Sequence, residues 1–117
     1  MADPNRGEIW LADLGGGRGH EQSGPRPVLV ASDDAFNAGL AGLVMTVPPT
    51  SQVAKSKGIP AHIRVDPPGG GLKTPGVILC DQLRTISKDR LGRAPWGPVS
   101  AATLAEVEKA LRVLLGL

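Results

Sequence analysis

The chain contains no tyrosine, one phenylalanine and two tryptophans, and it has a single cysteine. So few aromatics exclude the broad base-stacking platforms that RRM domains and single-strand-binding OB-folds need. Trp10 and Trp96 read instead as core or interface packing. One cysteine excludes an intramolecular disulfide and fits a reducing compartment. Inside the apolar run Val77-Ile78-Leu79-Cys80 it reads as a buried thiol rather than a nucleophile. No apolar run approaches the length of about 18 residues that a membrane span needs. The start, Met1-Ala2-Asp3-Pro4-Asn5-Arg6, lacks the charged and apolar regions of a signal peptide, so the expected location is cytoplasmic with no membrane partner. His20, His62 and Cys80 show no metal-ligand spacing, so neither a metal nor a cofactor is expected. No Ser-His-Asp arrangement and no pair of histidines suited to acid–base cleavage of RNA stands out. Gly15-Gly16-Gly17-Arg18-Gly19 fits neither phosphate-binding motif. No Gly-Lys-Ser/Thr follows, and a dinucleotide fingerprint would need glycine where His20 stands. It reads as a surface loop.

What is present fits one globular domain spanning residues 1–117, with 41% hydrophobic residues to fill a single core. A net charge of +2 and a pI near 9.0 permit an anionic partner without demanding one. Short β-type runs punctuated by glycine and proline predict strands at 8–12, 27–32, 43–47, 61–65 and 76–80. The second, nearly continuous in apolar residues, is expected to be buried on both faces. Asp33 or Asp34 can cap a short helical turn through Phe36 and Asn37. Pro67-Pro68-Gly69-Gly70-Gly71 reads as a hairpin tip between the last two strands. A helix closes the chain. Ser100 caps it, Val99 staples onto Leu104, and Gly116 stops it. Leu104, Val107, Leu111 and Leu114 fall on its packed face, opposite Glu106, Lys109 and Arg112. The expected class is mainly β with α (α+β), a small, strongly bent, SH3-like antiparallel barrel with a C-terminal helix packed on it.

Four segments in order carry a resemblance. They are Arg6-Gly7-Glu8-Ile9-Trp10-Leu11-Ala12-Asp13-Leu14, then Gly19-His20-Glu21-Gln22-Ser23-Gly24-Pro25-Arg26-Pro27-Val28-Leu29-Val30, then Val47-Pro48-Pro49-Thr50-Ser51-Gln52. The fourth is Cys80-Asp81-Gln82-Leu83-Arg84-Thr85-Ile86, followed by Lys88, Arg90 and Leu91. Together they resemble the MazF/PemK family of toxin endoribonucleases, over nearly the whole chain. The resemblance implies a CcdB/PemK-type barrel-like sheet, a homodimer, and sequence-specific cleavage of single-stranded mRNA. It also implies the toxin half of a type II toxin–antitoxin system, inhibited by an antitoxin with an acidic, extended C-terminal tail. By position, Arg26 and Thr50 match the family's catalytic arginine and threonine. Glu21 and Gln22 fall in the loop that closes over RNA, and Gln82 and Arg84 in the segment near the dimer-facing groove. Two departures occur. Pro25 stands where a basic residue often precedes the arginine, and Ser87 replaces a frequent acidic residue.

The chemistry that these residues permit is metal-independent. The RNA 2′-OH attacks the adjacent phosphorus, leaving 2′,3′-cyclic phosphate and 5′-OH ends, provided that the site orients the attack and stabilises the charge on phosphorus. Arg26 offers a planar fork of donors that fits two phosphate oxygens, and Thr50 a hydroxyl for the same phosphate. Arginine is hard to deprotonate, so Arg26 suits a clamp and a proton donor to the leaving oxygen better than a base. Glu21 or His20 is the candidate for that. His20, Gln22, Ser23, Ser51, Gln52, Lys55, Lys57, Gln82 and Arg84 are the candidate RNA contacts, the two lysines as a basic loop that steers RNA. Fold does not fix function. A gyrase poison on the same fold lacks support, because no Trp-Gly-Ile-like tail ends the chain. A non-enzymatic SH3-like binding module would need no convergent Arg/Thr pair.

Overall fold

The computed structural model describes residues 3–56 and 58–117; Lys57 lies outside them. In chain order come β1 (Glu8–Asp13), β2 (Pro25–Val30), α1 (Asp34–Asn37), β3 (Leu43–Val47) and β4 (Pro49–Thr50). They are followed by β5 (His62–Val65), β6 (Gly76–Leu79), β7 (Arg84–Ser87), β8 (Gly97–Pro98) and α2 (Ala101–Leu115). All pairings are antiparallel. One sheet runs β7-β3-β2-β1-β8 and a smaller one β4-β6-β5. The class is therefore α+β, antiparallel sheets with a C-terminal helix.

Strand alternation gives the larger sheet two apolar faces. Ile9, Leu29 and Val47 pack with Val65 and Ile78 of the smaller sheet and with Val107 and Ala110 of α2. On the opposite face Trp10, Val28, Val30, Val44 and Ile86 pack with Leu14 and Leu91. This explains why β2 is apolar without alternation: Val28, Leu29 and Val30 are all at most 1% exposed, as the sequence predicts. Pro48 has no N–H to continue the β3 ladder. The chain there crosses to the smaller sheet, where Pro49 and Thr50 pair with Ile78 and Val77. The β5–β6 hairpin closes through the glycine turn Gly69–Gly71.

A buried polar knot ties α1 to the sheet. Asp33 caps α1 by accepting from the Ala35 N–H at 3.0 Å. Asn37, wholly buried, donates through Nδ2 to the Pro4 carbonyl at 3.1 Å and the Ser32 carbonyl at 3.0 Å. Its Oδ1 accepts from the Ser32 hydroxyl, which in turn accepts from the Met45 N–H at 3.0 Å. Replacing Asn37 by Leu strands these groups without water. The expected result is a loss of roughly 3 kcal/mol and a melting point about 10 °C lower, read by thermal circular dichroism.

The helix start is as expected. Ser100 accepts from the Thr103 N–H at 3.1 Å, and Gly116 ends α2 at φ 71°. Leu114 corrects the expectation. It is 46% exposed, because the core stripe closes on Val107, Ala110 and Leu111 and the last turn stands over a groove shared with Ile59 and Pro60. Cys80 is buried in the core, as expected. Burial, with the Asp81 carboxylate beside it, pushes its thiol up from 9.0 to about 11. Unfolding exposes a thiol that ionises more readily, so folding is unaffected below pH 9 and loses stability between pH 9 and 11. Urea unfolding across that window should show a decline that Cys80→Ala removes.

Candidate active site

The loop between β1 and β2 is closed at its neck by its own backbone. The Leu14 N–H donates to the Gly24 carbonyl at 3.0 Å and the Gly24 N–H to the Gly15 carbonyl at 2.8 Å. At its tip, Glu21 accepts through Oε1 from the Arg18 N–H at 3.0 Å, while the Glu21 N–H returns to the Arg18 carbonyl at 3.1 Å. The Gln82 amide donates to the His20 carbonyl at 3.1 Å, fastening this loop to the turn after β6. Between them opens a cleft of about 550 Å³, walled by His20, Glu21, Gln22, Gln82 and Arg84 and floored by Val28, Thr46 and Pro48. Five of the candidate residues, from two separate stretches of sequence, thus meet in one place.

Arg26 stands exposed on β2 opposite Ala12. Its Nε donates to the Ser23 carbonyl at 3.2 Å, which orients the guanidinium and leaves both terminal nitrogens without a protein acceptor among the described residues. The β2–β3 register pairs Leu29 with Val47 and Val30 with Thr46. That ladder ends at the proline crossing, where Pro49 and Thr50 join the smaller sheet, but β2 and β4 still lie in contact. The Thr50 hydroxyl oxygen accepts from the Gln52 N–H at 3.2 Å, so its own proton remains to be donated. No hydrogen bond joins Arg26 to Thr50. Thr50 and Ser51 line a second cleft of about 650 Å³. Pro27 and Pro49 face this cleft, whereas their chain neighbours Val28 and Pro48 face the first. The two clefts therefore open on opposite sides of the β2 and β3–β4 ridge; Arg26, next to Pro27 on β2, lines neither.

The remaining candidates are less involved. Ser23 contributes its carbonyl and Gln52 its backbone N–H. Lys55 sits exposed in the turn Val53–Ser56 and lines neither cleft. Sequence reasoning missed the His62–Asp81 pair. His62 Nε2 donates to both Asp81 oxygens at 3.0 and 3.1 Å, and Asp81 borders the first cleft. His62 Nδ1 is buried without a partner among the described residues, so the ring is a fixed strut rather than an accessible base. Only the β5–β6 register, which places His62 opposite Leu79 next to this turn, reveals it. Trp96 and Lys73 were also missed as cleft residues. Among the described residues no three His, Cys, Asp or Glu side chains group as a metal site, and no helix is long and apolar enough to cross a membrane.

Two antiparallel sheets, a packed C-terminal helix, two clefts on either side of a strand ridge and an exposed arginine on β2 make up this part of the molecule. The chain belongs to the PemK-like, MazF-like toxins of type II toxin–antitoxin systems, whose family model matches residues 5–115. It is 39% identical over 116 residues to the endoribonuclease MazF9 of Mycobacterium tuberculosis, covering 96% of each chain. Its fold matches a MazF crystal structure from Deinococcus radiodurans with a TM-score of 0.82, 32% identity and complete coverage of both chains. A mycobacterial endoribonuclease solved with its cognate antitoxin matches with a TM-score of 0.76 and 29% identity, over 100% of this chain and 97% of that one.

Proposed function

We propose that residues 1–117 act as one toxin domain, a sequence-specific, metal- and cofactor-independent endoribonuclease that cuts single-stranded mRNA. The observation that carries this reading is Arg26, exposed on β2 with no acceptor for its terminal nitrogens among the described residues, on the strand whose next two residues, Pro27 and Val28, line the two clefts. Arg26 grips two oxygens of the scissile phosphate, and Thr50 donates its hydroxyl to the same group. The substrate's 2′-OH loses its proton to Glu21 or His20, both at the first cleft. The 2′-oxygen then bonds to phosphorus as the bond to the 5′-oxygen breaks, and Arg26 delivers a proton to that leaving oxygen. The products are a 2′,3′-cyclic phosphate and a 5′-OH. Glu21 has one oxygen committed to the Arg18 N–H, so its second oxygen is the one available to accept the proton.

Gln22, Gln82 and Arg84 contact bases or phosphates in the first cleft, Ser23 lies beside Arg26, and Ser51, Gln52 and Lys55 flank the strand beyond Thr50. The enzyme works in the cytoplasm as a homodimer. Its antitoxin inserts an acidic, extended tail into the same cleft. The solved mycobacterial endoribonuclease–antitoxin complex and the basic pI support this partner. A complex that still binds substrate RNA would overturn the tail's placement.

The test is incubation of purified protein with a long RNA in EDTA, followed by mapping of the ends. Discrete cuts bearing 2′,3′-cyclic phosphate are expected. Inhibition of gyrase without RNA cleavage, or binding of RNA or antitoxin peptide without cutting, would overturn the reading.

A further inference from the structure

The second cleft holds the one open aromatic face of the chain. Trp10 is 2% exposed in the core, Phe36 sits half-buried on α1, and Trp96 is 46% exposed. Trp96 lines the same cleft as Thr50 and Ser51. Its backbone is clamped: the Trp96 N–H donates to the Ile9 carbonyl at 2.7 Å, and Gly71 lies against its carbonyl and Cβ. Its indole N–H has no partner among the described residues. Lys73 lines the cleft too, exposed and without an ion-pair partner among the described residues.

An exposed indole on a fixed backbone, a free ammonium and two hydroxyl-bearing residues match what a single-stranded nucleic acid offers, a flat base and a neighbouring phosphate. We propose that this cleft is a nucleotide subsite of the ribonuclease, where Trp96 stacks a base flanking the scissile phosphate and Lys73 holds an adjacent backbone phosphate; the proposal rests on the reading of this chain as an RNA-cleaving enzyme. Thr50 borders both the reacting phosphate and this cleft, so a strand gripped at Thr50 continues across the indole. Every base has a π-face, and purines have the larger one. The subsite therefore supplies affinity and a mild purine preference, while donors and acceptors at Gln22, Gln82 and Arg84 read base edges on the other side of the ridge.

The experiment compares wild type, Trp96→Ala, Trp96→Phe and Lys73→Ala on a short RNA containing one mapped cleavage site. A matching RNA with 2′-deoxyribose at the scissile nucleotide serves for binding. Trp96→Ala is expected to raise KM about tenfold or more, the effect of losing one base–aromatic stack, with kcat changed far less. Trp96→Phe should restore most of the affinity. Tryptophan emission should fall on titrating the uncleavable RNA into wild type and not into Trp96→Phe, because Trp10 is buried. Lys73→Ala should lower the slope of log affinity against log salt by about one. Normal KM in Trp96→Ala with active wild type would overturn the subsite and leave the ribonuclease standing. Conversion of a wild-type dimer to monomer in Trp96→Ala, read by light scattering, would assign Trp96 to a subunit contact and overturn it as well. Wild type that cuts no RNA removes both readings.

Discussion

Arg26→Ala is expected to lower kcat by at least about 10³-fold with little change in KM, because its interaction strengthens as charge builds on the phosphoryl oxygens. The side chain stands exposed and, among the described residues, makes one hydrogen bond, to the Ser23 carbonyl at 3.2 Å. Its removal should therefore leave the circular dichroism spectrum and melting point unchanged. Arg26→Lys keeps a positive charge but loses the planar fork, so its activity should fall between wild type and alanine. Single-turnover cleavage with excess enzyme separates the chemical step from binding. Equal losses in KM and none in kcat would make Arg26 a binding contact only and return the chemistry to the loop.

The largest structural effect is expected at Gly71. Its φ of +74° is left-handed, and a Cβ there would lie 2.7 Å from the Trp96 carbonyl carbon. Backbone stands in the way, so no rotamer change relieves it. Gly71→Val combines the left-handed penalty for a branched residue with overpacking. It is expected to lose about 4 kcal/mol, a melting point at least about 10 °C lower. Gly58 is a control, since it too is left-handed at φ +81° but has nothing within 4 Å of its added Cβ. Gly58→Val should bear the backbone strain alone, and an equal loss in both would refute the packing argument.

The contrast among elements shows what a sequence of this kind reveals. β2 was legible because Val28, Leu29 and Val30 form an unbroken apolar run, which only a strand covered on both faces explains. α2 was legible through Ser100 and Gly116, whose capping chemistry is local. β4 and β8 are two residues each and carry no periodicity. β7 has one buried residue, Ile86, in four. These strands exist because of partners distant in sequence, so no window of the chain announces them. Leu114 was misplaced for a related reason. Helical spacing identifies a face but not where the sheet beneath it ends.

The site divides in the same way. Arg26 and Thr50 were found by resemblance alone; the β2–β3 pairing stops at Leu29 and Val47, short of both. His20, Glu21, Gln22, Gln82 and Arg84 carry no sequence signal of being neighbours. The Gln82 bond to the His20 carbonyl brings the two segments together. The His62–Asp81 strut and the open face of Trp96 depend on hairpin register and on glycine turns. Neither leaves a mark in composition. The scarcity of aromatics was still informative, since it left one indole available.

The central claim is that the RNA's own 2′-OH is the nucleophile, in a site where Arg26 and Thr50 hold the phosphate. The most direct measurement uses two RNAs identical except for 2′-deoxyribose at the scissile nucleotide, each incubated with wild type in EDTA. The account predicts that the all-ribose RNA is cut to a 2′,3′-cyclic phosphate and a 5′-OH. The deoxy-substituted RNA should bind equally well and stay intact. Cutting of the substituted RNA at a comparable rate, or products ending in 3′-OH and 5′-phosphate, would contradict it.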